Sequence, residues 1–223
     1  MSMHFHERLE RGEAAMETIA DYPIAICGAG ALGANICESL ARMGYANLTV
    51  VDRDRIEERN LSTQPYGRRD VGAHKARVLA HALHRAVGVE VDFEVADLAP
   101  DNLERYLGDQ RLVLDCLDNG ASRAAVTAWA ADSGVACLHA GMADGYGEVV
   151  WNEEYRVPSS GRDDVCDYPL TRSLVMLLTG IACEIVTDYV VDGRRRSLAV
   201  TLGDLVVEPV AIADGAEALN TGR

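Results

Sequence analysis

The run Gly28-Ala29-Gly30-Ala31-Leu32-Gly33 spaces three glycines as Gly-x-Gly-x-x-Gly. It follows the apolar stretch Tyr22-Pro23-Ile24-Ala25-Ile26-Cys27 and opens a helical pattern that runs to about Met43. In that setting each glycine has a mechanical reason. Gly28 permits a tight turn, Gly30 lets the main chain approach a phosphate or ribose, and Gly33 lets helix and strand touch. Asp52 ends the next apolar stretch, Leu48-Thr49-Val50-Val51, roughly 20 residues further on, where a carboxylate accepts both hydroxyls of a ribose. Together these features point to a nucleotide. By themselves they serve NAD as well as ATP, and a glycine turn that binds nothing stays open.

Further along, the chain reads Asp52-Arg53-Asp54, then Asn60-Leu61-Ser62-Thr63-Gln64, Val71-Gly72-Ala73-His74-Lys75 and Asp115-Cys116-Leu117-Asp118-Asn119. With the glycine turn, these five motifs in this order resemble the ThiF/MoeB superfamily, which has the fold of the ubiquitin-activating enzymes. The resemblance covers residues 8 to about 150 well and is weaker to about Leu205. It implies that ATP is bound and that a carboxylate is adenylated. On that reading Lys75 places an ammonium on the phosphates, where a point charge offsets the negative charge that grows as pyrophosphate departs. Asp118 holds Mg²⁺, a hard cation that takes carboxylate and phosphate oxygens. Asn60 and Gln64 donate amide hydrogen bonds, Asp54 supports the ribose and its loop, and Leu32, Leu117 and Asn119 complete the nucleotide site.

Two departures stand out. Family members often carry an arginine before the glutamine, where this chain has Thr63; Arg68 or Arg69 is a candidate replacement from the same loop. Paired Cys-x-x-Cys zinc motifs are usual in the family and absent from this sequence, so no structural zinc is expected. Arg8-Leu9-Glu10-Arg11 resembles an N-terminal Arg-x-x-Arg whose second arginine reaches ATP across a homodimer, which gives Arg11 that part; the alternative is a solvated helix face. Cys166 sits in the polar segment Arg162 to Tyr168; in some relatives a cysteine in this area accepts the activated carboxyl or sulfur, which makes Cys166 the candidate nucleophile. Asp163, Asp164 and Asp167 beside it would raise its pKa and blunt it. None of the six histidines is assigned to catalysis.

The elements that must position these residues alternate. Strands are expected at 22–27, 48–51, 89–95, 112–116, 135–140, 147–151 and 197–202. Helices are expected at 5–19, from the glycine turn to 43, and at 75–87, 101–107, 122–133 and 170–191. This is an α/β pattern, a doubly wound and mostly parallel Rossmann-like sheet with C-terminal strands and a helix. The 223 residues suit a single adenylation domain over 1–210 with its N-terminal helix, and a flexible tail over 211–223. Leu170 to Val191 is long and apolar, but Arg172, Glu184 and Asp188 favour a helix buried on the sheet over a membrane span.

A net charge of -14 repels phosphate backbones and disfavours nucleic acid as the main partner. Cysteines inside apolar runs, and a start without a signal-peptide core, point to the reducing cytoplasm. The resemblance implies that the substrate is the Gly-Gly C-terminus of a small ubiquitin-like or sulfur-carrier protein. Alternatives are a carboxylate on a tRNA nucleoside or a peptide, an NAD-dependent oxidoreductase, and a nucleotide-binding scaffold without activity.

Overall fold

The computed structural model describes residues 3–157 and 170–210. Cys166 and the tail from 211 lie outside the described residues. The elements are α1 (Phe5–Arg11), α2 (Glu13–Asp21), β1 (Ile24–Cys27), α3 (Ala31–Met43), β2 (Leu48–Val51), α4 (Lys75–Val87), β3 (Asp92–Glu94), α5 (Leu103–Leu107), β4 (Leu112–Asp115), α6 (Gly120–Ser133), β5 (Ala136–Ala143), β6 (Tyr146–Trp151), α7 (Arg172–Asp192), β7 (Leu198–Thr201) and β8 (Val206–Pro209). Short 3₁₀ turns at Glu58–Ser62 and Arg68–Asp70 break the loop between β2 and α4.

The strands form one sheet in the order β3-β2-β1-β4-β5-β6-β7-β8. Pairs from β3 through β5 are parallel, and β6, β7 and β8 are added antiparallel. A strand buried on both faces favours an apolar run; β1 is apolar throughout, and β4 is apolar up to the buried Asp115 at its end. Their alternate residues serve opposite layers. Ile24, Ile26, Leu112 and Leu114 join the core under α2, α3, α4 and α7. Ala25, Cys27 and Val113 join a smaller core under α5 and α6. A one-residue slip would exchange the two sets, so the register is firmly specified.

That register aligns the strand ends. Cys27 pairs with Val51 on one side and Asp115 on the other, so Gly28, Asp52 and Cys116 leave the sheet at one level. The order reverses between β1 and β4, since α3 leads to β2 on one side and β4 lies on the other. A crevice at the carboxyl ends of such strands is where α/β sheets bind ligands.

Several sequence expectations shift. The helix expected over 5–19 is two helices, because Gly12 at φ +82° ends α1 and starts α2. The strand expected over 89–95 pairs only at Asp92–Glu94, as an edge strand against Thr49–Val51. Strand β8 was not anticipated; it returns on β7 through Leu202 to Leu205, with Leu205 at φ +52°. Helix α7 is long and apolar enough by length and composition to cross a membrane. Here it lies on the sheet, with Leu174, Leu178, Ile185 and Val186 within the main core.

Candidate nucleotide site

A cleft of about 420 Å³ opens at the strand ends, in the size range of small-molecule sites. The glycine turn forms its floor. Gly28 holds φ +94°, and a Cβ there would come within 2.9 Å of the Cys116 carbonyl oxygen. A Cβ on Gly33 would sit 1.9 Å from the Gly28 carbonyl oxygen, so α3 packs on the turn only because Gly33 has no side chain. A Cβ on Gly30 would meet nothing within 4 Å; Gly30 lines the cleft and its missing side chain leaves room for a ligand. The N-cap of α3 is Gly30, which has no side chain to cap the helix, so its first N–H groups and dipole favour an anion.

Asp52 is 8% exposed and its two oxygens accept the Ala29 and Asp54 amides, each at 2.6 Å. Burial raises its pKa, against the pull of Lys75 and of those amide bonds. Lys75 begins α4 and is itself buried; its Nζ bonds Asp54 Oδ2 at 3.0 Å. Asp54 thus meets Lys75 directly, a contact the sequence did not suggest. Asn60 Oδ1 accepts the Glu57 amide at 2.8 Å, which fixes its amide orientation and makes Nδ2 the end able to donate. Gln64 is 8% exposed, and its Oε1 is buried without a partner among the described residues. A buried acceptor of this kind is costly unless a ligand supplies a donor, or the amide flips to present Nε2.

The loop after β4 forms the opposite wall. Asp115 Oδ1 accepts the Leu117 amide at 3.0 Å, and Leu117, Asp118 and Asn119 line the cleft. Asn119 also caps α6, its Oδ1 accepting the Ser122 amide at 2.8 Å. Leu32 lines the cleft from the first turn of α3. The structure therefore gathers Gly28, Gly30, Leu32, Asp52, Asp54, Asn60, Gln64, Lys75, Leu117, Asp118 and Asn119 around one space, with Gly33 directly beneath the turn.

Three other candidate residues stand apart from this chain's own cleft. Arg11 is not among the cleft residues. Its Nε bonds Glu7 at 2.7 Å and its Nη2 bonds Glu184 at 2.5 Å, which ties α1 to α7. Neither Arg68 nor Arg69 lines the cleft, because both stand on the second 3₁₀ turn. Arg59 does line it.

Sequence reading also missed two residues. Arg123 on α6 is a wall residue whose Nε, Nη1 and Nη2 donate to the Leu117 carbonyl at 2.5 Å, the Tyr155 hydroxyl at 2.7 Å and the Ala140 carbonyl at 2.8 Å. Burial works against its charge, but Asp115 and Tyr155 keep its pKa above the ordinary arginine value. His139 is 1% exposed and stacks on Tyr155. Its Nδ1 lies 2.7 Å from Asp115 Oδ2, and its Nε2 lies 2.7 Å from Asn152 Oδ1. Since Asn152 Nδ2 donates to the Thr127 carbonyl, that oxygen is correctly placed and must accept. His139 thus links Asp115 at the end of β4 to Asn152 after β6 inside the fold. It steadies the carboxylate that shapes the Leu117 loop.

A glycine turn, a ribose-type carboxylate and an ammonium at the switch point of a doubly wound sheet define a Rossmann-like nucleotide-binding protein. Residues 6–170 match the ThiF family, and the chain belongs to that family, within the ThiF-like adenylating superfamily. It is 32% identical over 138 residues to tRNA threonylcarbamoyladenosine dehydratase of Escherichia coli (strain K12), covering 60% of this chain and 51% of that protein. It is 29% identical over 140 residues to sulfur carrier protein ThiS adenylyltransferase of Bacillus subtilis (strain 168), covering 61% and 42%. The alignments therefore span about half or less of these relatives. Among solved structures, Escherichia coli MccB with ATP superposes with a TM-score of 0.81 at 12% identity, covering 95% of this chain and 72% of that one. That likeness concerns the fold.

Proposed function

We propose that this chain is a single adenylation domain that joins a carboxylate to AMP. The observation that carries the reading is the convergence of an uncapped helix N-terminus, the open space over Gly30, Lys75 and Asp118 on one cleft. A dinucleotide does not require the last two.

In the reaction a carboxylate oxygen attacks the ATP α-phosphorus. The bond from that phosphorus to the bridging oxygen breaks, and pyrophosphate leaves with the electron pair. No general base is needed, because the carboxylate is already ionised. Asp52 takes the ribose hydroxyls. The N–H groups of the α3 first turn and Lys75 face the phosphates, and Lys75 exchanges Asp54 for phosphate oxygens as charge grows on the leaving group. Asp118 is the residue that would hold Mg²⁺, which supplies charge neutralisation on the phosphates. The cleft mainly positions and desolvates.

The preferred substrate is the C-terminal carboxylate of a small ubiquitin-like or sulfur-carrier protein. The similarity to the ThiS adenylyltransferase and, at 36% identity over 129 residues, to an Arabidopsis thaliana NEDD8-activating enzyme E1 catalytic subunit supports it. The similarity to the tRNA threonylcarbamoyladenosine dehydratase favours a second reading, a carboxylate on tRNA. The net charge of -14 weighs against that one. Cys166 as acceptor of the activated carboxyl, a homodimer completed by Arg11, and a cytoplasmic setting belong to the same proposal. The described cysteines Cys27, Cys37, Cys116, Cys137 and Cys183 are free thiols, consistent with a reducing compartment.

The test is exchange of labelled pyrophosphate into ATP in the presence of candidate carrier proteins. Lys75→Ala should abolish it, and retained exchange would count against the reading. Thermal stabilisation by NAD alone, without any by ATP–Mg²⁺, would point to an oxidoreductase. ATP binding without exchange would point to a scaffold, and a tRNA mobility shift to the second substrate.

A further inference from the structure

The triphosphate end of the cleft needs cations, and several that line it are committed elsewhere. Arg123 gives three N–H groups to Leu117, Tyr155 and Ala140. Arg53 directly follows Asp52, the carboxylate at the ribose end, and bonds Asp97 at 2.6 Å. Lys75, paired with Asp54, is a single point charge. The residue at position 63 is an uncharged threonine, 5% exposed.

Arg59 stands in the same wall. It lies on the 3₁₀ turn Glu58–Ser62, between the Glu57 cap and Asn60. That turn is fixed to the phosphate end of α3. The Asn35 side-chain amide donates both to the Ala31 carbonyl at 2.6 Å, in the first turn of α3, and to the Thr63 carbonyl at 2.8 Å. In the same wall, the buried Gln64 Oε1 is without a partner among the described residues, which independently points to a ligand. Arg59 Nε bonds Glu57 Oε2 at 2.6 Å, but the two side chains are 56% and 57% exposed. Water and salt screen such a pair, and it yields to a stronger anion.

We propose that Arg59 is the cation that recognises the terminal phosphates of ATP from the rim of the cleft. This inference rests on the adenylation reading and deepens it. On nucleotide entry the guanidinium exchanges the Glu57 carboxylate for phosphate oxygens, which its planar fork meets through two parallel N–H bonds. The contact continues onto pyrophosphate as it leaves. Specificity for a triphosphate then comes from the first 3₁₀ turn, while Arg68 and Arg69 on the second take no part.

Calorimetric titration of the full chain with AMP, and with a non-hydrolysable ATP analogue plus Mg²⁺, tests this. Arg59→Ala should weaken the ATP analogue about tenfold or more, as loss of a charged hydrogen bond does, and AMP by less than about twofold. Arg59→Lys should fall between, and Arg69→Ala should match the wild type. Higher salt should narrow the gap between wild type and Arg59→Ala. Equal losses for AMP and the ATP analogue, or no loss, would overturn the assignment. So would a phosphate-specific loss in Arg69→Ala alone. If the wild type binds ATP and supports exchange while Arg59→Ala binds as tightly, only this inference fails. If the wild type prefers NAD, the adenylation reading fails with it.

Discussion

Two alanine substitutions within the glycine turn should separate folding from binding. At Gly33 an added Cβ would stand 1.9 Å from the Gly28 carbonyl oxygen, and 3.0 Å and 3.2 Å from the Gly28 carbonyl carbon and Cys116 Cβ. Reaching even 3.0 Å from that oxygen means moving α3 off the turn by about 1 Å. The neighbours are main chain, so no side chain can swing aside. Overpacking of this kind costs about 3 kcal/mol, the upper end for an inserted methyl in a packed core. For a chain this long that lowers Tm by about 6–12 °C. The displacement also carries Gly28 and the α3 N-terminus away from the phosphates, so nucleotide binding fails too. At Gly30 the same methyl meets nothing within 4 Å. Gly30→Ala should change stability by about 1 kcal/mol or less, as a Gly-to-Ala change at a helix N-cap does. It projects into the cleft, however, and should remove the stabilisation that ATP gives the wild type, about 2.7 kcal/mol at a hundredfold excess over Kd. Thermal melts of both variants with and without ATP–Mg²⁺ decide it. A Gly33→Ala protein that melts like the wild type, or a Gly30→Ala protein that keeps the full ATP shift, would refute the steric argument.

Other outcomes follow from the same contacts. Burial pushes the Cys116 and Cys183 thiols up to about 12, whereas the unfolded chain releases those protons near 9. Between those values the unfolded state holds fewer protons, so stability is full below pH 9 and falls as pH rises, by ~1.4 kcal/mol per pH unit for each thiol. Urea midpoints at pH 8 and pH 10 should show the loss, and Cys183→Ala should recover roughly 1.4 kcal/mol of it at pH 10; an unchanged difference would contradict the assignment. Arg123→Ala strands the Leu117 and Ala140 carbonyls and the Tyr155 hydroxyl, and should cost about 3 kcal/mol by chemical denaturation. A neutral effect would mean the wall repacks. If Arg11 serves a partner subunit's cleft, mixing inactive Arg11→Ala and Lys75→Ala proteins should restore exchange in the hybrid; no recovery would confine Arg11 to its tie between α1 and α7.

The glycine turn was legible in the sequence because its constraints are local. Gly28 and Gly33 answer to a backbone angle and a contact five residues apart, and Asp52 is set by the length of one crossover. Arg123 was not, since its partners Ala140 and Tyr155 come 17 and 32 residues later, from β5 and beyond β6. On its own helix it reads as an ordinary solvated arginine. His139 was hidden likewise: only parallel pairing of β4 with β5 places it opposite Asp115. The helix over 5–19 was misjudged because periodicity carries across Gly12, where only the positive φ breaks it. Arg68 and Arg69, offered by the sequence in place of the arginine missing at Thr63, stand on the second 3₁₀ turn outside the cleft lining, and so short a turn carries no apolar period to read.

The Asn35 clamp has a consequence for how fast a nucleotide is captured. One amide, 4% exposed, spends its two hydrogens on the start of α3 and on the loop beyond β2. The Tyr66 hydroxyl adds a second tether, to the Ala29 carbonyl at 2.8 Å. Floor and side wall are therefore assembled before anything arrives, and no wandering segment has to be ordered on arrival. Encounter with that half of the cleft is a docking event, governed by diffusion and charge.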